Sequence, residues 1–184
     1  VFAWTPGLDE RFRGASDGSV PGSSGEGGRD GDGRRSREAS PRILTVASVV
    51  PGKDHELIPK VAAEIADRPW HWILVGEEDL YPDWASRMRE RFARSELADR
   101  FTWRGVVDPS GMPALYEQSD LFVLPSRFET LGLAVREAMA MGSPPVAFRT
   151  GGIPESVTHE ETGLFAGEPG SAARLADAVE VLLT

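Results

Sequence analysis

Between residues 120 and 147 the hydrophobic period changes twice, and few folds accommodate that. Leu121, Phe122, Val123, Leu124 and Pro125 form an apolar run of strand length. A polar loop follows from Ser126 to Thr130. Residues 131–141 are then strong helix formers without proline. Gly142 stops that helix, and Pro144 and Pro145 prevent its return. Pro145, Val146, Ala147 and Phe148 begin a further strand. The order strand, loop, helix, turn, strand is that of a parallel crossover unit.

The rest of the chain alternates in the same way from Pro41 onward. Residues 42–50 have the apolar composition of a strand buried on both faces. Pro51, Gly52 and Lys53 turn the chain, with Asp54 as the expected N-cap of a helix over 55–66. Strands are expected at 70–76, 100–104 and 163–165, and helices at 82–93, 108–118 and 171–183. The fold class expected is α/β, with a single Rossmann-like, doubly wound parallel sheet. Residues 14–40 are rich in Gly, Ser, Asp and Arg, with Val20 almost the sole apolar residue. Such a stretch cannot bury enough surface to offset its ordering entropy, and it is expected to be a disordered low-complexity segment. Residues 1–13 form a short, mixed N-terminal piece. The chain opens on Val1 and is expected to be part of a longer protein.

Composition narrows the function classes. Twenty Lys plus Arg against 29 Asp plus Glu leave a net charge of −9, which argues against nucleic acid as partner. The densest basic stretch, Arg87, Arg89, Arg91 and Arg94, is interleaved with Glu90 and Glu96 and reads as a solvated helix face. With no cysteine there is no disulfide framework and no thiolate zinc site. No apolar run approaches the roughly 18 residues of a bilayer span, and no signal peptide opens the chain. The compartment expected is the cytoplasm, with peripheral membrane association left open. His55, His71 and His159 are scattered and read as structural or exposed. Trp70, Trp72, Trp84 and Trp103 read as core and rim residues.

Two carboxylates stand out in the 120–147 unit. Glu129 sits in the loop just before the helix, and Glu137 lies eight positions later within it. Leu133, Ala134, Ala140 and Met141 share a helix face with Glu137, so its own stripe is apolar. Two readings follow. Glu137 pairs on the surface with Arg136 or another Arg, or it lies on a buried stripe and must meet a cation or a hydroxyl donor. Thr130, Leu131, Gly132 and Leu133 fall where free N–H groups point out of a helix N-terminus, which attracts anions. Gly132 lets a ligand approach the backbone. A strand end feeding such a loop is the usual ligand position in an open parallel sheet.

The run Phe128-Glu129-Thr130-Leu131-Gly132-Leu133, continued by Glu137-Ala138-Met139-Ala140-Met141-Gly142-Ser143-Pro144-Pro145-Val146, resembles the E-x7-E signature of retaining glycosyltransferases of the two-Rossmann-domain (GT-B) architecture, family-4 type. The stretch from Val46 through Pro51, Lys53 and His55 to Leu57 resembles that family's first phosphate loop. Pro6, Gly7, Asp9, Arg11 and Phe12 resemble its interdomain linker, and Gly151-Gly152 its G-G-x-x-E turn.

The resemblance implies that 41–184 is the nucleotide-sugar-binding domain and that 1–13 is a remnant of the linker. An N-terminal acceptor domain then lies on a missing segment. The implied activity is that of a retaining hexosyltransferase, moving a sugar from a nucleotide-diphospho-sugar to an unknown acceptor. Glu129 and Lys53 are the implied catalytic residues. Glu129 faces the donor-sugar hydroxyls and Lys53 the diphosphate. Glu137 accepts from the ribose hydroxyls, Thr130, Leu131 and Gly132 offer backbone N–H groups, and Val106 lies in the base-contacting loop. No metal or other cofactor is expected, because a lysine and a helix N-terminus can hold the leaving diphosphate. The sequence departs from the family at Gly52 and Ser48, where an Arg is often found; Arg127 is the candidate replacement. That departure leaves an alternative, a non-catalytic domain that binds nucleotide or a partner protein. Lys53 also has a plainer reading, as a solvated turn lysine. A flavodoxin-like regulator is disfavoured, because no acidic cluster closes the first strand.

Overall fold

The computed structural model describes residues 40–183. Apart from Ser40, the expectations for 1–13 and 14–40 lie outside the described residues. Six strands, β1 (Arg42–Val46), β2 (His71–Val75), β3 (Phe101–Gly105), β4 (Leu121–Leu124), β5 (Pro145–Ala147) and β6 (Leu164–Phe165), form one sheet in the order β3-β2-β1-β4-β5-β6. Every pairing is parallel. The helices are α1 (Ile58–Glu64), α2 (Pro82–Ala93), α3 (Met112–Glu117), α4 (Leu133–Ala140) and α5 (Ala172–Leu183), with short 3-10 turns between elements.

The strands are apolar throughout because both faces are covered, and strand alternation divides their side chains between two cores. Ile43, Trp72, Leu74, Leu121, Val123 and Val146 point to one side, against Val61 of α1 and Leu175 and Val179 of α5. Leu44, Ile73, Val75, Phe122, Leu124 and Ala147 point to the other, against Tyr116 of α3 and Val135 and Ala138 of α4. Thr45 is the polar exception within β1. Its Oγ1 donates to the Val123 carbonyl at 2.7 Å and accepts from Trp72 Nε1 at 3.0 Å, joining three adjacent strands inside the core.

The expected elements are present, with some revised limits. β1 ends at Val46 rather than continuing to Val50. Ala47 and Val49 still donate to Val75 and Glu77, but Val50 N–H turns back to the Ser48 carbonyl and the chain leaves the sheet. Asp54 stands at the N-cap position of a 3-10 turn and not of α1. Its backbone is left-handed, with φ 52°, and its side chain makes no capping bond. A 3-10 turn, His55–Leu57, precedes α1 instead. α4 begins at Leu133, because Gly132 at φ 61° sets the turn into it. Its far end closes as expected at Gly142: Gly142 N–H donates to the Met139 carbonyl and Ser143 N–H to that of Ala138, a left-handed C-terminal cap.

α4 also corrects a matter of phase. Its core-facing residues are Val135 and Ala138, while Leu133, Glu137, Ala140 and Met141 are exposed. The stripe carrying Glu137 is apolar but does not face the core, so no buried-charge cost arises there.

Candidate active site

β1 and β4 lie side by side, yet from β1 the chain winds outward to β2 and β3, and from β4 the other way to β5 and β6. The strand order therefore reverses between β1 and β4, and the crevice at their C-terminal ends is where open α/β sheets take ligands. Both glutamate and lysine candidates fall there. The loop after β1 carries Lys53, and the loop after β4 carries Ser126 to Gly132.

Lys53 Nζ and Glu129 Oε1 form an ion pair across the crevice. Glu129 is 13% exposed and Lys53 25%, so the pair is shielded from, but reachable by, solvent. Ser126 Oγ donates to the same Glu129 oxygen at 3.0 Å. Its part was not apparent in the sequence, although it lies only three residues away. The Glu129 backbone is fixed from beneath by the 150–152 turn. Gly152 N–H donates to the Glu129 carbonyl at 2.8 Å, and Thr150 Oγ1 donates to the Arg127 carbonyl at 2.9 Å. A side chain at Gly151 or Gly152 would collide with the carbonyls of Glu129 and Thr130. The weak double-glycine signal thus marks a close backbone approach.

Thr130, Leu131 and Gly132 lead into α4, and no side chain caps the N-terminus of that helix among the described residues. Its first-turn N–H groups keep the anion-attracting character expected of them. Phe128, Leu131 and Leu133 are large apolar side chains exposed around this tip.

Arg127, the candidate second cation, pairs with acidic side chains of the first loop. Its Nε donates to Asp54 Oδ2 at 2.7 Å, and its guanidinium reaches Glu56 at 4.0 Å. The bond to Asp54, more than any other cause, holds the Arg127 pKa above its usual value. Arg127 N–H also donates to the Gly52 carbonyl at 3.0 Å, so the residue ties the two site loops together.

Glu137 accepts from the Tyr116 hydroxyl at 2.8 Å. Arg136, a partner considered for it, instead donates to Ser156 Oγ at 2.6 Å. Nothing local in the sequence linked Tyr116 with Glu137, which lies 21 positions on. Val106, 74% exposed, follows β3 at the edge of the sheet, on the same C-terminal side but away from the Lys53–Glu129 pair. Gly76 and Glu77, read as possible cleft-lining residues, run beside the first loop. Gly76 packs against the Ala47 carbonyl, where a Cβ would not fit, and the Glu77 carbonyl accepts from Val49 N–H at 2.8 Å.

His55, next to Asp54, is buried. Desolvation first of all lowers its pKa to about 4, with the Lys53 charge adding to the shift. Its ring stacks on Trp103 at 6.1 Å. Among the described residues no group of three or more His, Cys, Asp and Glu side chains comes together as a metal-holding set, and no helix is long and apolar enough to cross a membrane.

Known proteins share this architecture. The alpha-D-kanosaminyltransferase of Streptomyces kanamyceticus is 30% identical over 145 residues, covering 78% of this chain and 36% of that protein. The solved sucrose-phosphate synthase of Thermosynechococcus elongatus superposes with a TM-score of 0.72 at 31% identity, covering 78% of this chain and 36% of that one. HepE of Anabaena, solved in complex with UDP-glucose, gives a TM-score of 0.70 at 26% identity, covering 76% and 38%. The chain thus spans little more than a third of the length of each of these proteins. The family model described as "Glycosyl transferases group 1" matches residues 40–184. With that match, the reversal at β1 and β4 and the carboxylate and lysine at its mouth, this chain belongs to the group 1 glycosyl transferases of GT-B architecture.

Proposed function

We propose that residues 41–184 form the donor-binding domain of a retaining glycosyltransferase, one that moves a hexose from a nucleotide-diphospho-sugar to an acceptor. The observation that carries this reading is the Lys53–Glu129 pair at the strand-order reversal, beside an uncapped helix N-terminus. A donor of this kind has a sugar rich in hydroxyls and a diphosphate that gains negative charge as the bond between them breaks. The crevice offers an acceptor for the one and positive potential for the other.

In this reading Lys53 and the N–H groups of Thr130, Leu131 and Gly132 hold the diphosphate and stabilise it as charge develops. Glu129 exchanges its contact with Lys53 for the sugar hydroxyls. Its charge also favours the oxocarbenium character expected at the anomeric carbon. Glu137 accepts from the ribose, as the acidic residue of a dinucleotide site does. Val106 lies in the loop that meets the base. The diphosphate charge is met here without a metal. The acceptor binds on a second, N-terminal domain joined through the 1–13 segment, and the enzyme works in the cytoplasm. HepE, a relative of similar fold, has been solved with UDP-glucose, which supports a donor of this class.

One observation favours a second, non-catalytic reading. Gly52 stands where the family often has an arginine, and Arg127, the candidate replacement, is engaged by Asp54. A single cation stabilises a leaving diphosphate less well than two.

A thermal-shift series with UDP, GDP and ADP tests the shared claim. At 100 times Kd a ligand adds about 2.7 kcal/mol, a shift of several degrees. At least one nucleotide is expected to raise Tm, and Lys53→Ala or Glu137→Ala to diminish the rise at the same nucleotide concentration. Failure of all three nucleotides would remove the donor-binding reading and the nucleotide-binding form of the second one, leaving a domain that binds a partner protein. Nucleotide binding without sugar transfer, even with an N-terminal half co-expressed, would leave the non-catalytic one.

A further inference from the structure

We propose that Tyr116 is a positioning residue for nucleotide recognition: by holding one oxygen of Glu137, it aims the other at the vicinal hydroxyls of a ribose. The inference deepens the donor-binding reading above and rests on it.

Glu137 stands on the exposed face of α4, where a glutamate side chain ordinarily samples several rotamers. Here Oε2 accepts from the Tyr116 hydroxyl at 2.8 Å. Tyr116 itself has no such freedom. Its ring is buried between α3 and the sheet, with Phe122 of β4 at 5.9 Å and Val135 and Ala138 of α4 in the same core. The hydroxyl is thus a fixed point delivered from the core to the surface of the neighbouring helix. Burial first, and the bond to Glu137 second, push the Tyr116 pKa up, so the hydroxyl keeps its proton and remains the donor.

The chemistry of the partner matters. A carboxylate has about four acceptor sites, and one hydroxyl occupies one of them. A lysine or arginine in the place of Tyr116 would fix the rotamer equally well but neutralise the charge that makes a carboxylate a strong acceptor. No cation lies within ion-pair distance of Glu137 among the described residues, and the adjacent Arg136 is turned away to Ser156. Glu137 is therefore oriented without being neutralised. That arrangement suits two adjacent hydroxyls, each of which can donate.

The test measures ribose preference by calorimetry on the 184-residue chain, using UDP, GDP and ADP, each beside its 2′,3′-dideoxy counterpart. The wild type is expected to prefer the ribose form by about tenfold or more, as charge-assisted bonds do, and Glu137→Ala to abolish the preference. Tyr116→Phe keeps the buried ring and removes only the hydroxyl. It is expected to cut the preference at least threefold while leaving the dideoxy affinity unchanged, an effect that a loss of packing would not produce. Tyr116→Phe retaining the full preference, or weakening both forms alike, would overturn the role of Tyr116 and leave the donor-binding reading standing. Absence of binding by every nucleotide to the wild type would overturn both.

Discussion

Arg127 Nε donates to Asp54 Oδ2 at 2.7 Å, and this bond joins two loops that lie 73 residues apart in the chain. Asp54 is 2% exposed and Arg127 59%, so the carboxylate depends on a partner that water also reaches. Arg127→Ala deprives a buried acceptor of its charged donor. The expected loss is about 1–2 kcal/mol, at the lower end for such bonds because of the exposed arginine. Urea denaturation measures it. The Lys53–Glu129 geometry should loosen with it, seen as weaker nucleotide binding.

In the proposed site Glu129 and a diphosphate are two anions that compete for Lys53. Glu129→Gln removes the negative charge facing the phosphate site and frees Lys53. Its affinity for inorganic pyrophosphate is expected to rise about threefold to tenfold, while Lys53→Met lowers it by a similar factor. Both effects should shrink as salt is added. Titration calorimetry at two ionic strengths checks the signs.

Gly152→Ala tests the support beneath the Glu129 loop. The backbone there, at φ −83°, suits alanine, but the added methyl would overlap the Thr130 carbonyl. Displacement of the loop is expected to cost about 1–3 kcal/mol, with nucleotide affinity falling alongside Tm.

His55 makes stability depend on pH. Its folded pKa, about 4, lies below the ordinary 6.5, so the unfolded chain binds the extra proton first. The contribution is complete above pH 6.5 and is lost progressively as pH falls toward 4. At 1.36 kcal/mol for each tenfold change in proton affinity, the loss is about 3 kcal/mol. His55→Gln should flatten this part of a plot of urea-derived stability against pH.

Thr45→Val tests the polar bridge in the core. Valine matches threonine in shape but leaves the Trp72 indole N–H and the Val123 carbonyl without their partner. The expected destabilisation is roughly 2–4 kcal/mol, with little effect on nucleotide affinity.

Apolar runs bounded by glycine and proline were enough to locate the strands, and α2 occupies the residues its periodicity indicates. The face of α4 was harder to read. Leu133 and Met141 are as apolar as Val135 and Ala138, and hydrophobicity does not say whether a residue faces the core or an open surface. Asp54 carries the composition of a helix cap, but a left-handed backbone and a partner in another loop override that local preference. At the site, Glu129, Glu137 and Lys53 were visible because their motifs are contiguous. Tyr116 was not, and the double glycine at 151–152 was legible only as a turn, because the contacts of both exist only once the sheet has aligned separate crossovers.

β1 and β4 touch only after the chain has travelled out through two strands and back, so Lys53 meets Glu129 across 76 residues. A partly folded chain holding β1 against β2 alone has the lysine without its carboxylate. In the proposed reading a nucleotide therefore has purchase only on the finished molecule. Saturating nucleotide should slow amide exchange of β1 and β4 together, and leave untouched the shallow openings that release a helix end while the two strands stay paired.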